Sequence, residues 1–194
     1  AVYVLIAAMA GYALAKGQFR GKALFSVLVV WALLFRGEVT AIPAYFIVSE
    51  LKMLDTYWAM ILPAFASSMG VFLVRQFATV AISNETIEAA RIDGASHFRI
   101  FGTIILPVTK PIITFLGISS FTGPWMDFIF PKMVLRSPEK QTLALGLFSF
   151  VSDKKNEFTN FAAGSLVICI PFVIFFLFTQ KAMMMSMGTA AVKE

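Results

Sequence analysis

The residues whose types and spacing could do chemistry gather in one stretch, "EAARIDGASHFRIFGTIILP", Glu88 to Pro107, where acids, arginines and the lone His97 interrupt an otherwise apolar chain. They do not add up to a catalytic constellation. His97 has no cysteine or second histidine at ligand spacing, as a zinc site needs, and reads as a surface residue. No nucleophile, base and orienting group can be assembled. No G-x-x-x-x-G-K-[ST] loop is present to cradle a phosphate, so ATP hydrolysis is not expected on this chain. Cys169 lies in an apolar run, can form no intrachain disulfide and reads as a small hydrophobe. Neither a catalytic residue nor a metal site is predicted in the stretch.

The elements that must hold these residues are membrane elements. The 194 residues are 59% hydrophobic and 14% charged, with 21 phenylalanines, against about 25% charged in soluble domains. A bilayer core about 30 Å thick takes about 20 apolar residues per helix, and Phe161–Gln180 supplies such a run without a charge. Residues 57–74 and 111–130 read as further spans, the second interrupted only by Asp127. Residues 23–49 read as one long kinked span with Arg36, Glu38 and Pro43 inside it, and residues 1–15 as a span already apolar at its first residue, like a fragment that begins inside a helix. The expectation is an all-α polytopic bundle of five spans, one domain over 1–194. The apolar runs are continuous rather than alternating, and backbone groups in lipid must be bonded internally. The net charge of +5 is scattered over loops on both faces, without the clustered footprint that nucleic acid requires. Nine lysines and arginines fall on the side of the central loop against seven opposite, a slight bias towards a cytoplasmic central loop.

Within the charged stretch, Asn84 is expected to cap a helix whose first turns carry Glu85 and Glu88, where carboxylates meet the positive end of the helix dipole. Ile87, Ala90 and Ile92 give it an apolar side. Asp93-Gly94 then breaks it, because glycine accepts a left-handed conformation. Ser96 caps a second helix with Phe98, Phe101, Ile104 and Ile105 at helical spacing, ended by Pro107. This is a helix, a tight turn and a helix at the membrane surface. On these grounds alone, an amphipathic interfacial loop without a partner fits as well as a docking element.

The spacing resembles a known signature. Glu88-Ala89-Ala90, three residues, Gly94, nine residues and Ile104-x-Leu106-Pro107 is similar to the EAA motif of ABC importer permeases. Asp93, Ala95 and Ser96 continue the "RIDGAS" form common in sugar permeases. "FRGK", "DTYWAMILP" from Asp55 to Pro63, "FTGPWMDFIFP" from Phe121 to Pro131, "TLALGLFSF" and the ending "GTAAVKE" resemble, in order, the maltose-type subfamily. That resemblance implies a type I importer transmembrane domain with one further helix before Ala1, six in all, in a bacterial inner membrane with both termini and the central loop cytoplasmic. Residues 83–110 would be the coupling loop, seated in a cleft of an ATPase subunit. Glu88 would pair with a basic residue there, Ala89 and Ala90 would let backbones approach, and Gly94 would make the turn. Implied partners are a second homologous permease, an ATPase dimer carrying the ATP and magnesium, and an extracytoplasmic solute-binding protein, with malto-oligosaccharide or a related oligosaccharide as cargo. No cofactor is expected on this chain.

On the other side of the membrane, residues 131–160 form an outer loop, charged at "LRSPEKQ" and "SDKKNE", which by the same resemblance reaches into the docked binding protein. Trp125 and Asp127 sit where a span meets this face. Trp125 suits an interfacial belt or a sugar-stacking surface; Asp127 could accept a sugar hydroxyl or be hydrated. Arg36 and Glu38 lie near the outer surface on a tilted helix or face the translocation path, since a central charge costs roughly 2.5 to 3.5 kcal/mol. Gly188 to Glu194 would be a second cytoplasmic contact with the ATPase. The competing class, a secondary carrier or channel with a merely interfacial loop, predicts intramembrane charge relays, which the spans lack beyond Arg36, Glu38 and Asp127.

Overall fold

The computed structural model describes residues 2–35, 37–152 and 158–191, with side chains described except at 149–152, 158, 160 and 181–191. Among the described residues the secondary structure is helical, without strands. Two stretches, Trp58–Ala81 and Phe161–Gln180, are long and apolar enough to cross a membrane, and up to four are if each of two bent helix pairs counts as one span. The all-α expectation holds. The kink expected within 23–49 is a break: α2 (Lys22–Leu34) ends with Phe35 in extended conformation, and α3 (Gly37–Glu50) carries Pro43 inside it. Arg36 lies outside the described residues. The described residues fall into two compact units, one drawn from 1–35, 65–118 and 182–194, the other from 36–64 and 119–181.

The first unit is built on the pairing of α1 (Val2–Lys16) with α5 (Ser68–Ala81). Small residues allow the close approach that drives helix association in lipid. A Cβ added at Gly11 would lie 2.6 Å from Val74 Cβ, and one at Gly70 would lie 3.0 Å from Ala7 Cβ. Ala7, Ala8, Val74 and Ala78 are all buried in the same seam. Ser67 caps α5, accepting from the Gly70 N–H at 3.1 Å while the Tyr3 hydroxyl donates to its Oγ at 3.2 Å. In contrast, α2 buries only Ser26 and exposes Leu24, Trp31 and Leu34, an all-round apolar helix of the kind that meets lipid.

In the second unit α4 (Trp58–Ala64) and α10 (Ile129–Val134) pack with α3 around buried Val48, Ala59, Val134 and Leu135. Residues expected to begin the outer loop therefore belong to a buried helix: Pro131 and Val134 are fully buried, and the chain leaves the helix at Leu135. The span expected over 111–130 ends early as well, since α9 (Lys110–Met126) breaks at Asp127–Phe128 before α10 starts. Within the outer loop the apolar run is itself a helix, α11 (Leu143–Ser152). α12 (Phe158–Ala191) packs its Gly164 against Leu147, while Leu166 and Phe178 stay exposed.

Candidate functional site

The charged stretch folds as two short helices about one turn, each end fixed by a local bond. Ser83, not Asn84, caps α6 (Asn84–Ile92): its Oγ accepts from the Thr86 N–H at 3.2 Å. Asn84 is the first helical residue, and its Oδ1 accepts from the Lys16 ammonium at 2.9 Å, fastening the end of α1 to the start of α6. Glu85 follows, its carboxyl held below the usual range by its own backbone N–H, by the Ser83 hydroxyl and by the Lys16 charge. Lys22 donates to the carbonyls of Ala15 and Gly17, both at 3.0 Å, closing the last turn of α1 with the positive charge that a helix C-terminus favours.

The C-terminal end of α6 closes in the manner glycine permits. Gly94 has φ 77°, its N–H donates to Arg91 O, and the Ala95 N–H donates to Ala90 O, both at 3.0 Å; this is the Schellman arrangement. Ser96 Oγ then accepts from the Arg99 N–H at 3.4 Å and caps α7 (His97–Ile100), as the sequence suggests. Beyond it Phe101–Ile105 widens into a π-helical turn, a form common at functional sites. The helix does not end at Pro107: α8 (Leu106–Val108) carries it on to Thr109, where the axis turns by 80° into α9. Pro107 lacks an N–H for its i−4 carbonyl, which suits the widened turn directly upstream. Thr109 is fully buried and donates its hydroxyl to Ile105 O at 2.7 Å.

One face of this hairpin is core. Ile87, Ile100, Phe101 and Ile105 are buried with Ala8 and Tyr12 of α1 and with Ala78 and Ile82, and Ala90, Ala95, Ile104 and Leu106 pack against them. The other face is open. Glu88, Ala89, Asp93, Gly94, His97 and Pro107 are exposed. Two residues expected on the apolar inner side are exposed instead: Ile92 is 86% and Phe98 76% accessible. The motif residues thus divide by role, with Ala90, Ala95, Ile104 and Leu106 gripping the body of the unit and Glu88, Ala89, Asp93 and Gly94 facing outward beside two bare hydrophobes.

In the second unit, the other predicted site residues do not form one group. Asp127, half-buried, lines a recess of about 650 Å³ together with Glu38, Thr40, Pro63, Phe128 and Phe130. Trp125 stacks on Phe121, ring centroids 5.4 Å apart, and lines a different, apolar hollow of about 470 Å³ with Phe148, Phe161, Cys169 and Phe172. Nothing can be placed for Arg36 or for the side chains of 188–194, which lie outside the described residues. Among the described residues no three His, Cys, Asp or Glu side chains gather as metal ligands do. One residue the sequence reading passed over is Asp55, whose carboxylate takes up Arg136, Ser137 and Lys140; its only local sign is the polar "LDTY" between two apolar helices.

A family profile described as binding-protein-dependent transport system inner membrane component matches residues 4–183. The chain is 34% identical over 190 residues to the arabinooligosaccharides transport system permease protein of Halalkalibacterium halodurans, covering 98% of this chain and 68% of that one. It is also 34% identical over 183 residues to the maltodextrin transport system permease protein of Bacillus subtilis, covering 92% of this chain and 65% of the relative. The chain thus spans about two thirds of the length of these relatives. A crystal structure of a bacterial ABC transporter involved in the import of the acidic polysaccharide alginate superposes with a TM-score of 0.74 over 92% of this chain and 71% of its own, at 22% identity, and shows the same fold. The chain belongs to the binding-protein-dependent transport system inner membrane component family. It is an integral-membrane permease component of an ABC importer, a class that is not itself an enzyme.

Proposed function

We propose that this chain is the permease subunit of an ATP-driven sugar importer, taking an oligosaccharide of the arabino- or maltodextrin class, and that the 83–96 hairpin is its docking element for a partner ATPase. The observation that carries the reading is the bare apolar pair Ile92 and Phe98, set beside the exposed carboxylates of Glu88 and Asp93 on a hairpin whose other face is core. Solvent-facing hydrophobes rimmed by charge are what a protein interface looks like before its partner arrives. The names borne by the two relatives supply the cargo class.

The mechanism follows from how the hairpin is fastened. Its inner face is continuous with α1 and α5 through Ala8, Tyr12 and Ala78, and Lys16 ties α1 to α6 directly. A push from an ATPase closing on ATP would therefore reach the spans as movement of a body rather than bending of a loop. Differential stability of the inward and outward states would then turn ATP binding into alternating access. In this reading the hairpin and the C-terminus are cytoplasmic. A second homologous permease completes the pathway, ATP and magnesium reside on an ATPase dimer, and an extracytoplasmic binding protein delivers the sugar.

The sugar's path would pass the Glu38–Asp127 recess. Three helix breaks meet there: the start of α3 at Gly37, the end of α4 at Pro63 and Ala64, and the break between α9 and α10 at Asp127. Interrupted helices at membrane depth leave backbone groups that must be buried in protein or face a water-filled cavity, and a carboxylate accepts strong hydrogen bonds from sugar hydroxyls. The test is ATPase stimulation in proteoliposomes holding the full-length permease, its partner subunits and the binding protein. Maltodextrin or arabino-oligosaccharide should stimulate hydrolysis; stimulation by neither would overturn the cargo assignment.

A further inference from the structure

Asp55 has no part in docking or in lining the recess, yet its surroundings are built around it. It sits at φ 58° in the turn between α3 and α4, where Lys52, two places after the last residue of α3, also has a positive φ of 55°, a left-handed conformation that costs a side-chain-bearing residue roughly 1 to 2 kcal/mol. What holds it there is a set of bonds to residues some eighty positions away. The Asp55 N–H donates to Val134 O at 2.8 Å. Oδ1 accepts from the backbone N–H groups of Arg136 and Ser137 at 3.0 and 2.9 Å. Oδ2 accepts from the Ser137 hydroxyl at 2.5 Å and the Lys140 ammonium at 3.2 Å, and that ammonium also donates to Asp55 O at 2.6 Å. These bonds hold the carboxyl well below the usual aspartate range, the Ser137 hydroxyl contributing most.

The latch and the recess stand at opposite ends of the same three helices. α3 begins at the recess with Gly37 and Glu38 and ends at Glu50, next to the Asp55 turn. α4 leaves that turn at Trp58 and returns to the recess at Pro63 and Ala64. α10 starts in the recess wall at Ile129 and ends at Val134, whose carbonyl takes the Asp55 N–H. Val48, Ala59 and Val134, one from each helix, are buried in one apolar cluster, which joins the three helices. At about 1.5 Å per residue, Ala44 at the edge of the recess is only about 9 Å along α3 from Glu50.

We propose that Asp55 is a positioning residue: by pinning α10 to the α3–α4 hairpin it sets the width of the Glu38–Asp127 recess and hence how tightly the recess holds sugar. This rests on the reading of the recess as part of the sugar's path. Neutralising Asp55 loosens α10 at one end and opens or broadens the recess at the other, without touching the ATPase-docking hairpin.

The experiment uses the full transporter in proteoliposomes with its binding protein and labelled maltodextrin. Asp55→Asn should raise KM for uptake about threefold to tenfold while kcat stays within about twofold, with Asp55→Glu recovering part of the loss. A fall in kcat with KM unmoved means a merely structural role and overturns the proposal. If Asp55→Asn does not accumulate in the membrane, Lys140→Met and Ser137→Ala, each removing part of the latch, carry the same test, and an unmoved KM in both overturns it. A distance measurement independent of transport accompanies it: spin labels at Thr40→Cys and Ile129→Cys on a Cys169→Ser background, compared with and without Asp55→Asn. A shifted or broadened distance supports the latch, and an unchanged one overturns it. Wild-type protein that imports no maltodextrin while the labels still respond to Asp55→Asn would contradict the transport reading and leave the positioning role standing.

Discussion

The ammonium of Lys16, the last residue of α1, donates to Oδ1 of Asn84, the first residue of α6, at 2.9 Å across 68 positions of sequence. This bond adds to the apolar packing that joins the 83–96 hairpin to α1, a helix that the α5 seam already grips. Because the pair is exposed, Asn84→Ala is expected to cost at most about 1 kcal/mol in denaturant unfolding. Its larger effect should be on coupling, read as fewer sugars imported per ATP hydrolysed.

Gly94 is the point where the hairpin reverses. A Cβ there meets no atom within 4 Å, so Gly94→Ala meets no clash and is opposed by the backbone at φ 77° alone. The expected cost is about 1 to 2 kcal/mol, taken up by opening the turn and misplacing Glu88 and Asp93. Hydrogen exchange of the Gly94 and Ala95 amides, both bonded back into α6, should accelerate in the variant.

The α1–α5 seam fails for a different reason. A Cβ at Gly11 would sit 2.6 Å from Val74 Cβ, between two helix backbones rather than at the end of a flexible side chain. Gly11→Val should therefore cost about 1 to 3 kcal/mol as overpacking, seen as a lower thermal midpoint in detergent, whereas Gly102→Ala, at a helical site with open space, should leave the midpoint unchanged or slightly raised.

Acid should act on the Asp55 latch with a definite sign. The folded-state pKa is lowered by Ser137, Arg136 and Lys140, so the unfolded state binds the proton more readily, and stability is present in full above the unfolded value of about 3.9. It is lost as pH falls below that value towards the depressed folded one. Thermal midpoints of wild type and Asp55→Asn should therefore differ most at neutral pH and converge in acid. Parallel curves across that range would show that Asp55 contributes no such term.

The hairpin was legible because its signals are local: Gly94 for the turn, Ser96 for the second cap, and Ile87 and Ile105 for the core. Ser83 and Asn84 are both good caps side by side, so the sequence does not separate them, and what recruits Asn84 elsewhere is Lys16, a neighbour only in space. The exposure of Ile92 is legible in helix geometry: five residues at 100° each place it about 140° from Ile87 around the helix, off the buried side. The breaks at Phe35 and Asp127 are not legible locally because each lies inside a long apolar run that composition reads as one span. The role of Asp55 is not legible beyond the polar "LDTY", since its partners Arg136 to Lys140 lie some eighty positions away in sequence.

The central claim is that Glu88, Ile92 and Phe98 form the face that meets an ATPase. It is tested most directly by affinity co-purification of the full-length permease with the ATPase subunit of the same transporter, comparing wild type with Ile92→Asp and Glu88→Lys at matched membrane insertion. Ile92 is 86% accessible, so the folded permease should tolerate the aspartate, and the account predicts that the ATPase is recovered with wild type and lost with both variants. Equal recovery of the ATPase with all three proteins would contradict it.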